Sequence, residues 1–140
     1  RLKRVVYIVK SDNIIVDAVG KSLIDKNPKW FRYGKSDKPF VCGSKQDAFV
    51  VEDCASACSL SHLATGVALL GTNLLESHID ILKRYKKLYI ALDKDATDKA
   101  VDMVRILKHH VPTKLIVLHK DIKNMERQER DEFIQYHVNR

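Results

Sequence analysis

Leu88-Tyr89-Ile90-Ala91-Leu92-Asp93-Lys94-Asp95-Ala96 decides the fold. An apolar run the length of a strand ends abruptly in two acidic residues. Beyond them Ala96, Ala100, Met103, Val104 and Leu107 recur at the spacing that gives a helix one apolar face. A short apolar strand followed at once by an amphipathic helix is half of a strand-helix-strand unit, whose strands run parallel.

The same texture repeats on either side. Upstream, Ala48 to Val51 reads as a strand and Ala55 to Ala64 as a helix, followed by a strand Val67 to Leu70 that ends at Gly71-Thr72. Asn73 and Glu76 have capping-box spacing ahead of a helix marked by Leu75, Ile79 and Leu82. Downstream, Leu115 to Leu118 reads as the fourth strand, and a polar helix from about Met125 to Tyr136 closes the chain. These elements predict an α/β fold with a mostly parallel four-stranded sheet flanked by helices.

The first third reads differently. Arg4 to Val9 and Ile14 to Val19, rich in Val, Ile and Tyr, flank Ser11-Asp12-Asn13 and predict a β-hairpin. Asp25 to Trp30 has loop chemistry, and Lys38-Pro39-Phe40 leads into a short extended piece. We therefore expect a small basic β-rich subdomain over residues 1–45 and the α/β domain over residues 46–140. The chain opens on Arg1, which reads as a segment of a longer protein.

Composition sharpens that division. The 140 residues are 45% hydrophobic and 31% charged, as in a globular domain, and no apolar run is long enough to cross a bilayer. A cytoplasmic location, or host cytoplasm for a phage-encoded protein, is expected. Residues 1–45 hold 11 Lys or Arg against 4 Asp or Glu, whereas residues 46–140 hold 14 of each, so the whole net charge of +7 sits in the first third. A concentrated positive field suits a polyanion, although a solvated basic surface explains it as well. Cys42, Cys54 and Cys58 form no C-x-x-C pair and read as small packing residues.

In a parallel sheet the carboxyl ends of the strands share one edge, where ligands bind. Glu52 ends the first strand, and Asp93 and Asp95 end the third. Residues two apart on a strand point the same way, so Asp93 and Asp95 are expected to converge. Crowded carboxylates call for a cation, and hard oxygen ligands favour Mg²⁺ or Mn²⁺. Asp95 is also explained as the cap of the following helix.

The order and spacing of Val51-Glu52-Asp53, Leu70-Gly71-Thr72-Asn73-Leu74 and Ala91-Leu92-Asp93-Lys94-Asp95-Ala96 resemble the motifs of the Toprim fold, over roughly residues 46 to 125. That Rossmann-like fold is shared by DnaG-type primases, topoisomerases and several nucleases. Arg4-Val5-Val6-Tyr7-Ile8, Val19-Gly20-Lys21-Ser22-Leu23 and Asn27-Pro28-Lys29-Trp30 resemble the stretch that precedes Toprim in bacterial and phage primases, and His119-Lys120-Asp121 resembles a further acidic element.

The resemblance implies a DNA primase, which makes RNA primers on single-stranded DNA by nucleotidyl transfer. Glu52, Asp93 and Asp95 would be catalytic, with Asp121 joining them as metal ligands. Arg4, Lys21, Lys29, Gly71 and Thr72 would meet nucleotide or nucleic acid. Partners would be the template, ribonucleoside triphosphates and a replicative helicase, separate or fused, and no membrane.

Two positions depart from the family pattern. Ser56 stands where a primase usually has aspartate, and Lys94 where glycine is frequent between the aspartates. A Toprim nuclease and a non-catalytic nucleic-acid-binding module remain the alternatives. His109, His110 and His137 read as solvated, and Trp30 as a packing aromatic.

Overall fold

The computed structural model describes residues 4–23, 29–70 and 73–139. Strands β1 (Arg4–Ser11) and β2 (Ile14–Ser22) form the expected hairpin, with Ser11 opposite Ile14. Asp12 and Asn13 carry it at φ 52° and 65°. Two left-handed residues match the right-handed twist of the strands they join, and Asp and Asn tolerate that region best among residues with side chains. β3 (Trp30–Arg32) pairs antiparallel with β2 and completes a three-stranded sheet.

The second sheet has five strands in the order β4-β6-β5-β7-β8. β5 (Asp47–Val51), β6 (Thr65–Ala68), β7 (Lys87–Ile90) and β8 (Thr113–Leu115) are parallel, as the strand-helix alternation requires. The additional strand β4 (Phe40–Cys42) lies antiparallel on the edge beside β6. Three residues carry too little alternation to announce a strand, and only β6 supplies their hydrogen-bonding partner.

Alternate residues of the central strands serve two cores. Phe49, Val51, Tyr89 and Ala91 face α1 (Cys54–Ser59), α4 (Arg127–Val138) and Val9 and Val19 of the first sheet. Ala48, Val50, Leu88 and Ile90 face α2 (Glu76–Leu82) and α3 (Thr97–Leu107). Burial on both faces explains why these strands read as unbroken apolar runs. Phe49 and Tyr89, cross-strand neighbours, stack with ring centroids 4.6 Å apart, and each is wholly buried. Gly66 admits α1: a Cβ there would lie 2.2 Å from the Ala57 carbonyl oxygen.

Several boundaries differ from the sequence reading, β6 running Thr65–Ala68 rather than Val67 to Leu70 and α4 Arg127–Val138 rather than Met125 to Tyr136. α1 ends at Ser59 rather than Ala64, because Leu60, Leu63 and Ala64 turn inward through local backbone bonds. The last strand is Thr113–Leu115, not Leu115 to Leu118, and Ile116 and Leu118 are buried beyond it as the chain turns over the sheet. The Asn73–Glu76 capping box does not form. α2 starts at Glu76 with Leu75 as its cap, and the buried His78 ring accepts the Leu75 N–H at 3.1 Å.

Candidate active site

From β5 the chain passes to β6 on one side, then crosses to β7 on the other, so sheet order reverses between β5 and β7. A crevice opens outside the carboxyl ends at such a reversal. Val51 hands the chain to the exposed Glu52 and then to the buried Asp53, which caps α1 by accepting the Ser56 N–H at 2.8 Å. From β7 the chain continues through Ala91 and Leu92 to a half-buried Asp93. Asp121 reaches the same edge at the start of the short turn Ile122–Asn124. Lys123 in that turn places Nζ 2.9 Å from Asp53 Oδ2.

These charges act on one another. Burial, reinforced by the neighbouring Asp121 and Glu52 carboxylates, pushes the Asp93 carboxyl up to about 6. Burial also disfavours the Asp53 carboxylate, but the Lys123 ammonium and Ser56 amide outweigh it and hold its pKa below the ordinary value. The same pair raises Lys123 against its own desolvation.

A cavity of about 390 Å³ opens onto this edge. Glu52, Asp53, Asp93 and Lys123 line one wall, while Trp30, Phe31 and Arg32 of β3 line the other. An acidic strand edge and an aromatic wall that carries Arg32 thus face one space. The donor set suits a hard cation, since carboxylate oxygens that raise one another's pKa are relieved by positive charge. Among the described residues, however, no three His, Cys, Asp or Glu side chains stand close enough to hold a metal ion between them.

Asp95 does not follow the expectation of convergence. The strand ends at Ile90 and the chain winds into a 3-10 turn over Lys94–Ala96, leaving Asp95 exposed and away from the cavity lining. At roughly three residues per turn, side chains two apart diverge instead of aligning.

On the basic sheet, Lys21 Nζ stands 5.5 Å over the Trp30 ring, and the Lys29 residue is exposed. Trp30 packs at 6.0 Å from Tyr7 while also lining the cavity. Arg4 is turned to the sheet itself, donating from Nη1 to the carbonyls of Gly20 at 3.4 Å and Lys29 at 3.2 Å. Gly71 and Thr72 lie outside the described residues.

Asp53 and Lys123 do not stand out as site residues in the sequence. The three-residue step from Asp53 to Ser56 is an N-cap signal, but nothing local joins Asp53 to a lysine 70 positions on. Arg32 reads with Lys21 and Lys29 as part of the basic first third that would meet nucleic acid, yet its Nε bonds Asp17 Oδ2 at 2.8 Å, and the Asp17 side chain is wholly buried. Arg32 also donates to the carbonyls of Ser36 and Leu70. It fastens the first sheet to the end of β6, where Leu70 sits at φ 62°.

Residues 50–127, more than half of the chain, match the Toprim-like family. No curated protein matches. Among solved structures, a DNA primase domain from Pseudomonas aeruginosa is similar with TM-score 0.76 and 20% identity, over 98% of this chain and 50% of that one. The DnaG primase catalytic domain bound to single-stranded DNA gives TM-score 0.79 and 18% identity, over 97% and 52%. The E. coli primase catalytic core gives 0.77 and 19%, over 97% and 51%. The chain therefore spans about half the length of the structures it matches, and shares their fold.

Proposed function

This chain belongs to the Toprim-like family, and from that membership we propose that it is the catalytic core of a DNA primase, joining ribonucleotides on a single-stranded DNA template. The observation that carries the reading is the cavity itself. Glu52 and Asp93 both line it at the point where sheet order reverses, and the facing wall is Trp30, Phe31 and Arg32 of the sheet that also carries Lys21. A template backbone and a nucleoside triphosphate are both polyanions, and a cavity of this kind separates the charge that attracts them from the carboxylates that act.

In this reading a 3′-hydroxyl attacks the α-phosphate of the incoming nucleotide and pyrophosphate departs. Glu52, Asp93 and Asp121 are the residues of this edge that would hold Mg²⁺ or Mn²⁺, which when bound neutralises phosphate charge and activates the attacking oxygen, and Asp95 would join them only by turning from where the 3-10 turn leaves it. Glu52, exposed at the cavity, would take the hydroxyl proton. Lys21 and Lys29 supply charge for phosphates and Arg4 holds the sheet that carries them, while Gly71 and Thr72, outside the described residues, are further phosphate contacts on the family resemblance alone. A replicative helicase is the partner this role implies. Among the described residues no helix is long and apolar enough to cross a membrane.

The test uses the full-length protein with single-stranded template, ribonucleotides and Mg²⁺. Wild type extends a primer. Glu52→Gln, which keeps shape and removes basicity, lowers extension by about 100-fold or more while template affinity stays within about twofold. Degradation of the template without extension identifies a nuclease instead, and unchanged extension by the variant removes Glu52 from the chemistry.

A further inference from the structure

Asp17 is the only acidic residue in the three strands of the first sheet, and it is buried on the side that carries Trp30 and Arg32. The opposite side is open. Val6 and Phe31 each stand across from Gly20, so their side chains share that face, which Ile8 and Tyr33 extend. All four are exposed, Phe31 by 39% and Tyr33 by 54%.

Gly20 makes the floor of this face. A Cβ there would lie 2.9 Å from Arg4 Cδ and 3.1 Å from the Tyr33 ring, so a side chain would lift both off the sheet. Its absence lets Arg4 lie across the strands, bonded to the Gly20 and Lys29 carbonyls, with its guanidinium 5.8 Å over the Phe31 ring. Phe31 and Tyr33 meet edge to face with centroids 5.0 Å apart. Phe31 also lines the cavity, and β3 is the edge strand of its sheet, so the open face and the cavity meet along one edge.

We propose that Phe31 and Tyr33 form a stacking platform for unpaired bases, over which a single strand continues from the cavity across β3. The inference rests on the template reading above and adds the path of the strand outside the cavity. Exposed rings beside a cation accept any base, because every base has a π face, whereas a duplex keeps those faces covered. Charge selects the occupant. The strands carry Arg4, Lys10, Lys21 and Arg32 against the buried Asp17, so a second copy would set like charges against each other, while a polyanion is attracted.

Fluorescence anisotropy of the full-length protein with two labelled strands of equal length tests this, one an oligothymidylate and the other the same sugar-phosphate chain without bases. Wild type is expected to hold the base-bearing strand about tenfold more tightly. Tyr33 lies outside the cavity lining, and Tyr33→Leu keeps its apolar surface while removing the ring. That variant is expected to lose most of the preference, with affinity for the abasic strand within about twofold of wild type and an unchanged salt dependence, and Tyr33→Trp is expected to keep the preference. Circular dichroism establishes that each variant is folded. Photocrosslinking of wild type to an iodouracil-substituted strand gives a readout that needs no variant, with adducts expected on Tyr33 or Phe31. Adducts confined to Trp30, or an unchanged preference in folded Tyr33→Leu, overturn the inference and leave the template reading standing. Equal losses for both strands overturn it by showing that Tyr33 only supports the sheet. A wild-type dimer that Tyr33→Leu dissociates in sedimentation gives the face to a second copy and overturns it as well. A wild type that holds neither strand overturns both readings.

Discussion

The two sheets bury their residues in opposite ways. In the five-stranded sheet the central strands are covered on both faces, and β5, β6 and β7 are buried almost throughout. In the three-stranded sheet Val9, Asp17 and Val19 face the rest of the molecule, while Val6, Ile8, Ile14 and Ile15 stand in the open. The first sheet is tied down by polar devices, Arg4 across its carbonyls and Arg32 on Asp17, and the second by packing. Charge follows the same division, all the excess lying in residues 1–45. A structural scaffold and a charged wall can therefore be perturbed separately, and the contrast predicts what each perturbation does.

The largest expected effect breaks the scaffold. Gly66→Ala puts a methyl into the Ala57 backbone, where neither strand nor helix can yield cheaply, and is expected to cost roughly 3 kcal/mol or more. Ile15→Ser on the open face of the hairpin is expected to stay within about 0.5 kcal/mol. Urea denaturation of the two variants compares them, and equal losses would erase the distinction between the sheets.

A smaller effect sharpens the charge contrast. Lys21→Ala with Lys29→Ala is expected to weaken single-stranded DNA binding about tenfold and to reduce the slope of log affinity against log salt by about 1 for each phosphate no longer neutralised. Lys108→Ala with Lys114→Ala, outside the basic third, leaves both unchanged. Removal of Arg32 would instead strand the buried Asp17 carboxylate, which Arg32 holds ionised against burial, and would act on stability as well as on binding. Equal losses from the two lysine pairs in a filter-binding salt series would show that the asymmetry has no role in binding.

The smallest effect concerns pH. Asp93 titrates at about 6 in the folded protein, above the ~3.9 of an unfolded aspartate, so its ionisation opposes folding. Its contribution to stability is present below the unfolded pKa and is lost as pH rises through about 6. Asp93→Asn is expected to raise metal-free stability at pH 7 by about 1 kcal/mol after solvent screening, and to flatten the stability profile between about pH 4 and 6. Asp53 and Asp17, both shifted downward, contribute the opposite slope at more acid pH in wild type and variant alike. Thermal unfolding across that range, with chelator present, checks it, and superimposable profiles would remove Asp93 from the repulsive cluster.

Much of this architecture was written in neighbouring residues. The hairpin turn at Asp12-Asn13, the apolar runs of β5, β6 and β7, the helical face of α3 and the acidic residues that follow β5 and β7 all depend on spacings of a few residues, which a chain carries whatever it later packs against. β4 and Asp95 were less legible. A three-residue edge strand exists through its partner, and the direction of Asp95 turned on whether the chain beyond Leu92 stayed extended or wound into a tight turn.

The sequence by itself determined that a parallel sheet would present Glu52 and Asp93 at one edge, and that positive charge would gather in a different part of the chain. Only tertiary structure decided that β3 would face that edge across a cavity, that Arg32 would serve the buried Asp17, and that Lys123 would reach Asp53 from 70 positions away. Periodicity is a local property and survives in the linear chain. Pairing between distant charges depends on strand order and on the side of the sheet each connection takes, and those are settled only when the cores close.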